Sequence, residues 1–114
     1  ERVVFAEPLI QLQATRFALA DMATRLEAAR LLVYRAARLA ALGAGRFSKE
    51  SSMAKLFATE TAHFVVDRAL QIHGGYGYMK EYAIERLYRD QRILEIYEGT
   101  SEIQRLIISG NLMK

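Results

Sequence analysis

Residues 8–42 read PLIQLQATRFALADMATRLEAARLLVYRAARLAAL, and this stretch decides the fold class. Its apolar residues recur with the period of an amphipathic α-helix, at Leu12, Leu19, Leu26, Val33 and Ala40, with Met22, Ala29 and Ala36 on the same face. A second apolar stripe lies elsewhere on the surface, at Phe17, Leu32 and Leu39. One apolar face suffices for a bundle, whereas two indicate burial against a further layer or another subunit. Because proline suits the first turn of a helix, we predict one from Pro8 to about Leu42.

Three further helices are predicted after the break at Gly43-Ala44-Gly45. Ser48 can cap a helix that runs to about His73. A shorter helix is expected near residues 82–90, and a last one over about residues 101–113. Four helices with short connections predict an all-α fold, an antiparallel up-down four-helix bundle. We find no strand signal.

The composition narrows the class of protein without naming it. At 114 residues the chain is one domain, and no apolar run approaches the length of a membrane span. The absence of cysteine excludes disulfides, thiolate nucleophiles and cysteine-based zinc sites. His63 and His73 lack ligand-like spacing, so we expect packing or surface roles for them and no metal site.

The net charge is +3, and most of the basic residues are arginines. Asp21 and Glu27 interrupt the arginines of the first helix, Arg16, Arg25, Arg30, Arg35 and Arg38. This mixture is typical of a solvated, partly ion-paired face more than of a nucleic-acid-binding stripe. A basic surface also suits other anionic ligands, so the charge does not distinguish a simple solvated face from a face that binds an anionic partner.

Residues 96–104 read IYEGTSEIQ and place Glu98 on a short loop before the last helix. Ser101 with Gln104 fits a capping box, and Thr100 is a second possible cap. The apolar residues around Glu98 predict a partly desolvated carboxylate, which is a stronger base. The alternative is that Glu98 only complements the positive end of the helix dipole.

Several blocks agree in order and spacing with one known family. They are QIHGGYGY at residues 71–78, RDQRI at residues 89–93, the Glu98 segment, and an opening with Arg2, Phe5, Pro8, Leu9 and Gln13. Together they resemble the C-terminal domain of the acyl-CoA dehydrogenases over essentially the whole chain. Ala6 stands where that family usually has glycine. An acid at residue 98 resembles the straight-chain type, that is, the short- and medium-chain enzymes.

The resemblance implies roles for individual residues. Glu98 would remove the α-proton of an acyl-CoA while the β-hydrogen leaves as hydride to N5 of FAD, with Tyr97 and Gly99 flanking the thioester. The block at residues 89–92 would brace the loop. The implied FAD contacts are Arg2, Phe5 and Gln13 on the pyrophosphate and adenosine side, Gln71, Ile72, His73, Gly74 and Gly75 on the FAD of a neighbouring subunit, and Thr100 and Glu102 on the FAD of this subunit. The ordinary alternatives are a helix C-cap for Gly74 and exposed polar positions for Arg2 and Gln71.

The resemblance also implies a larger enzyme. In it residues 1–114 would be the C-terminal helical domain, and FAD would be shared with an N-terminal helical domain and a middle β domain that this chain lacks, as well as with a neighbouring subunit. We therefore expect that this chain alone neither retains FAD nor turns over substrate. The implied partners are an acyl-CoA, an electron-transfer flavoprotein and further copies of the chain in a dimer or tetramer, with no nucleic acid. We expect the cytoplasm if the source is bacterial, which we favour, and the mitochondrial matrix if it is eukaryotic.

Two other functions are compatible with the sequence. The chain could be a catalytically silent helical oligomerisation module, since two apolar stripes serve assembly without chemistry. It could also be a DNA-associated member of the same superfamily that uses a basic surface. The acids interspersed among its arginines argue against the second of these.

Overall fold

The computed structural model describes residues 2–4 and 7–114, which form four α-helices and one very short hairpin. The helices are α1 (Gln13–Ala41), α2 (Ser48–His73), α3 (Ala83–Gln91) and α4 (Ser101–Leu112). Single 3₁₀ turns occupy Leu9–Gln11, Gly74–Tyr78 and Arg92–Glu95. The predicted all-α four-helix fold is confirmed. Phe5 and Ala6 lie outside the described residues.

The predicted start of the first helix is wrong by about one turn. Strands β1 (Val3–Val4) and β2 (Glu7–Pro8) form an antiparallel pair that the sequence did not predict, with Val3 opposite Pro8. The Leu9 amide donates to the Arg2 carbonyl oxygen at 2.7 Å, and Leu12 is extended. Because these bonds commit residues 7–12 to the hairpin and a 3₁₀ turn, α1 begins only at Gln13.

Helix α2 is the central element of the fold. It packs against α1, α3 and α4, and also against the 3₁₀ turns Gly74–Tyr78 and Arg92–Glu95. The molecule is therefore elongated along the α1–α2 hairpin, with principal extents of 57 × 25 × 25 Å. An ion pair between Arg105 and Glu60, at 3.0 Å, joins α4 to α2. No helix in the described part of the chain is both long and apolar enough to cross a membrane.

The covered side of α1 differs from the predicted stripe. Leu19, Leu26 and Val33 are 37%, 48% and 43% exposed, whereas Ala29 is buried. The covered side draws on both predicted stripes and contains Met22, Ala29, Leu32, Ala36 and Leu39. Because α1 packs mainly against α2, the covered side is the one that faces α2, and Leu19, Leu26 and Val33 lie beside this contact.

The fully buried residues are few and small. Among the described residues, Ala29, Ala54 and Ile84 are the buried apolar ones, and six more are polar: Ser52, Thr59, Thr61, Gln91, Ser101 and Gln104. Many large apolar side chains are exposed, including Phe17, Tyr34 and Leu106. Contiguous exposed apolar surface marks sites of interaction with other protein surfaces. The packing therefore supports the inference that further protein covers this domain.

Glu85 and Arg89 form an ion pair along α3, with Nε and Oε2 2.9 Å apart. The hydrogen bond from Arg89 lowers the pKa of Glu85 from its ordinary value of 4.5. A carboxylate with a lowered pKa in the folded state stabilises the fold above its unfolded pKa, and this contribution is lost as the pH falls through the folded value.

We predict that replacing Arg89 with glutamine raises the pKa of Glu85 back toward 4.5. Arg86→Gln is the matched control, because Arg86 makes the smallest contribution and no hydrogen bond to Glu85. An NMR pH titration of the Glu85 carboxyl carbon measures both. Equal shifts in the two variants would show that general charge and not the hydrogen bond sets the pKa.

Gly77 lies buried in the 3₁₀ turn after α2, where a Cβ atom would sit 2.6 Å from the Leu70 carbonyl oxygen. We predict that Gly77→Ala lowers the free energy of unfolding by roughly 1–3 kcal/mol, because a backbone atom cannot move aside cheaply. Gly75→Ala is the control, since no atom would lie within 4 Å of its Cβ. Urea denaturation tests the pair, and equal stabilities would contradict the steric argument.

Candidate active site

The Glu98 loop, residues 96–100, connects the 3₁₀ turn Arg92–Glu95 to α4 and contains a strained residue. Glu98 has φ 55°, and it is the one non-glycine residue with positive φ within residues 2–4 and 7–114. For an L-residue this left-handed conformation costs about 1–2 kcal/mol. Gly99 follows with φ 92°, and a Cβ atom there would lie 2.7 Å from the Gln104 amide nitrogen. Such strain persists only where the surrounding structure enforces it.

Two side chains from neighbouring helices hold the loop. Lys55 of α2 donates from Nζ to the carbonyl oxygens of Tyr97 at 3.0 Å and Gly99 at 2.6 Å. Gln104 of α4 donates from Nε2 to the carbonyl oxygens of Gly99 at 3.1 Å and Glu98 at 3.4 Å. The carbonyl groups of three successive residues, 97–99, thereby accept hydrogen bonds. Because both donors lie on helices, these bonds fix the position of the loop.

Lys55 was not among the residues that the sequence singled out. The available signal was a single charged residue in the stretch Met53-Ala54-Lys55-Leu56-Phe57, whose other residues are apolar. A lysine that is half-buried in such a run usually has a polar partner for its ammonium group. The sequence could not have told which carbonyls it reaches.

The predicted capping box is wrong, and the second possible cap is correct. Thr100 is the N-cap of α4, and its hydroxyl oxygen accepts from the Ile103 amide at 3.2 Å. Ser101 is already the first helical residue, and its buried hydroxyl has no partner in the described part of the chain. Gln104 turns back to the loop carbonyls instead of to a cap.

The predicted desolvation of Glu98 is also wrong for this chain. The Glu98 side chain is exposed, and its neighbours Ile93, Ile96 and Tyr97 are 47%, 47% and 49% exposed. On a tightly turned loop, neighbours in sequence point in different directions and do not cover one another. The carboxylate and these apolar side chains form an open surface that this chain does not close.

The segment before the loop is tied to α2 through Glu95, and of the predicted brace at residues 89–92 only Arg92 takes part. Arg89 pairs with Glu85 inside α3, so it does not brace the loop. Glu95 Oε1 lies 2.7 Å from His63 Nδ1 of α2, within hydrogen-bond distance. Arg92 Nη1 lies 4.0 Å from the same carboxylate oxygen. Within residues 2–4 and 7–114, no group of three or more histidine, aspartate and glutamate side chains could hold a metal ion.

A second group of predicted residues meets at the other end of α2. Arg2, Gln71, Ile72 and Gly74, which we call the Arg2 cluster, line one open cavity of about 440 Å³ together with Arg68. Arg2 Nη1 donates to the Ile72 carbonyl oxygen at 3.4 Å, and its guanidinium fills the space that a Cβ at Gly74 would need. Gly74 has φ 64° and ends α2, as its interpretation as a C-cap predicted.

The remaining predicted contacts lie outside the Arg2 cluster. His73 lines an adjoining, mostly apolar cavity of about 380 Å³ with Tyr76 and Tyr82. Gln13 and Gly75 line neither cavity. Thr100 and Glu102 lie beside Glu98, and the rise of α2 separates Lys55 from Ile72 by roughly 25 Å.

The structure is thus a helical domain with two open regions at opposite ends of α2, the Glu98 loop and the Arg2 cluster. Comparison with known proteins identifies the family. Residues 1–113 match the acyl-CoA dehydrogenase C-terminal domain. The chain is 57% identical over 113 residues to the mitochondrial short-chain specific acyl-CoA dehydrogenase of Bos taurus, covering 99% of this chain and 27% of that protein. It is 53% identical over 114 residues to the caffeyl-CoA reductase-Etf complex subunit CarC of Acetobacterium woodii, covering 100% and 30%.

The fold agrees with a solved relative as well. The structure matches butyryl-CoA dehydrogenase from Megasphaera elsdenii with a TM-score of 0.97 and 44% identity, covering 100% of this chain and 30% of that one. The chain therefore belongs to the acyl-CoA dehydrogenase family, as its motifs predicted. It spans about 30% of the length of the relatives that it matches.

The left-handed backbone at Glu98 has a measurable consequence. We predict that Glu98→Gly is more stable than Glu98→Ala by roughly 1 kcal/mol, because glycine adopts positive φ without steric cost. The same two substitutions at Glu102, in the first turn of α4, serve as the control. There alanine should be the more stable residue, by roughly 0.5–1 kcal/mol. Urea denaturation of the four variants decides, and the same order at both positions would contradict the strain at residue 98.

Proposed function

We propose that this chain is the C-terminal domain of a flavoenzyme that dehydrogenates acyl-CoA thioesters between Cα and Cβ, with Glu98 as the base. The observation that carries this proposal is the Glu98 loop itself. It presents an exposed carboxylate on a strained backbone whose carbonyl groups are all held from behind by Lys55 and Gln104. Fixing a base in one orientation before the substrate arrives lowers the entropic part of the barrier.

The chemistry assigned to this chain is proton removal. A Glu98 carboxylate oxygen takes the α-proton, and the electrons of that C–H bond form the double bond as the β-hydrogen departs with its own electron pair. FAD, when bound, supplies the acceptor for that hydride. Proton abstraction beside a thioester builds negative charge on the carbonyl oxygen, so a donor placed there stabilises the transition state.

The backbone offers such a donor. Within the described residues the Glu98 amide makes no hydrogen bond, so it remains available to the thioester carbonyl. Tyr97 and Gly99 flank it, and the missing side chain of Gly99 makes room for the Gln104 side chain that holds the loop. These features support substrate contacts at Tyr97 and Gly99.

The Arg2 cluster fits a phosphate-bearing cofactor. Two arginines, Arg2 and Arg68, line its cavity, and the missing side chain of Gly74 makes room for the Arg2 guanidinium. Arginine suits phosphate because its planar group donates two parallel hydrogen bonds. This donor set supports binding of the FAD pyrophosphate. Since the cluster lies roughly 25 Å along α2 from the Glu98 loop, we propose that each FAD is shared between subunits and with other domains of a longer protein.

The proposed partners follow from the surface and from a relative. The exposed apolar residues support assembly into a dimer or tetramer. The name of the Acetobacterium woodii relative assigns that protein to a reductase–Etf complex. This supports an electron-transfer flavoprotein as the electron partner here. Location in the cytoplasm or the mitochondrial matrix stays a prediction.

A second candidate reaction is the reverse one, reduction of a 2-enoyl-CoA. It is favoured by the 53% identity to a protein named as a caffeyl-CoA reductase subunit. The same geometry serves it, because a protonated Glu98 would return the proton to Cα by microscopic reversibility. Comparing turnover with a saturated acyl-CoA and with its 2-enoyl counterpart distinguishes the two directions.

The base assignment is tested by Glu98→Gln in the complete flavoenzyme. We expect the rate of flavin reduction by acyl-CoA to fall by roughly 10²–10⁴-fold, the usual contribution of a general base, with FAD content unchanged. Glu81→Gln, at an exposed position before α3, is the control. Stopped-flow absorbance of the flavin measures both.

The other functions would give different results. Full activity in Glu98→Gln would contradict the base and favour a silent oligomerisation module. Salt-dependent binding of duplex DNA by the same protein would favour the DNA-associated alternative.

A further inference from the structure

We propose that Lys55 is a positioning residue for the base: its ammonium group ties together the two carbonyls that bracket Glu98 and so fixes the direction of the carboxylate. This inference deepens the proposed function and rests on it. Lys55 touches neither the carboxylate nor the open surface around it through a hydrogen bond, so its effect would pass through the backbone.

The two acceptors of Lys55 belong to the residues directly before and after Glu98. Its Nζ lies 3.0 Å from the Tyr97 oxygen and 2.6 Å from the Gly99 oxygen. Two residues of extended chain rise roughly 6.6 Å, which is farther than one nitrogen can bridge at these distances. The bridge therefore excludes an extended chain at Glu98 and holds the folded-back turn, in which Glu98 has φ 55°.

The charge of Lys55 makes it suited to this task. Hydrogen bonds from an ionised donor are roughly twice as strong as neutral ones, and the Lys55–Gly99 bond is part-buried. Two such bonds offset the steric cost of holding a glutamate in the left-handed conformation. Without Lys55, the carbonyls of Glu98 and Gly99 would keep only the neutral bonds from the Gln104 side chain, at 3.4 and 3.1 Å.

Lys55 also connects the loop to the rest of the site. It lies near the start of α2, and Ile72 and Gly74 of the Arg2 cluster lie at the end of the same helix. Because a helix of this length is stiff, Lys55 fixes the position of the Glu98 loop relative to the proposed phosphate contacts at the other end of α2. Arg105 and Glu60 also join α4 to α2, but they do not touch the loop.

The test compares Lys55→Met with Arg105→Met in the complete flavoenzyme. Both substitutions remove one cationic link to α2, but only the first releases the carbonyls of the loop. We expect Lys55→Met to slow flavin reduction at saturating acyl-CoA by roughly 10- to 100-fold, the effect of a small misplacement of a reacting group, with little change in KM. Arg105→Met should react at the wild-type rate, and both variants should keep their FAD.

Two further variants separate positioning from a merely structural role. Lys55→Arg should recover part of the rate, since a guanidinium can also donate to both carbonyls. Adding Lys55→Met to Glu98→Gln should cause no further loss, because the residue to be positioned is already disabled.

The possible failures are distinguishable. If Glu98→Gln keeps its activity, the proposed function itself is wrong. If Glu98→Gln is inactive but Lys55→Met reacts at the wild-type rate, only the positioning role is overturned. That role is overturned equally if Lys55→Met loses FAD, if it changes KM and not kcat, or if it slows the Glu98→Gln enzyme by the same factor as the wild type.

Discussion

The packing of α2 against each of the other three helices is the constraint on which this domain depends. Helix α2 positions both the Glu98 loop and the Arg2 cluster. Lys55 near its start holds the loop, and Ile72 and Gly74 at its end meet Arg2. Helices α3 and α4 are positioned mainly by their contacts with α2. A change in the axis of this one helix would therefore move the Glu98 loop and the Arg2 cluster together.

The Glu98 loop shows how a strained residue can persist on an otherwise small and open domain. The left-handed backbone costs stability, and the compensation comes from donors on α2 and α4 that no hydrophobic contact could replace. The carbonyls of Tyr97 and Glu98 accept hydrogen bonds from these donors, while the Glu98 side chain stays exposed. The local strain and the proposed chemistry thus have one structural cause.

The helices could be predicted from sequence, because a period of 3.6 residues and a glycine at a helix end are local signals. The prediction of the end of α2 at His73 was correct for this reason. The start of α1 was missed because Pro8 suits the first turn of a helix, whereas in the structure it pairs with Val3 in a hairpin. The predicted stripe was correct only in part: Met22, Ala29 and Ala36 are covered, whereas Leu19, Leu26 and Val33 are exposed, because an apolar period alone does not show which side of a helix its neighbour covers.

The site could be predicted only in part. The Glu98 segment was recognisable, but its desolvation was not provided by its neighbours in sequence, which turn away from it. The contact of Arg2 with Ile72 within one chain was not predicted, because 70 positions separate them and no spacing rule joins them. Lys55 was missed because its acceptors are backbone groups, which leave no mark on composition.

The positive φ at Glu98 also bears on how such domains diversify. A backbone already turned into the left-handed region accepts glycine more readily than any other residue, so the acid can disappear from this loop without harm to the architecture. The clamp from Lys55 and Gln104 contacts only main-chain oxygens and is indifferent to the side chain that it presents. A lineage could therefore relocate its reactive group to another element while inheriting the same scaffold intact.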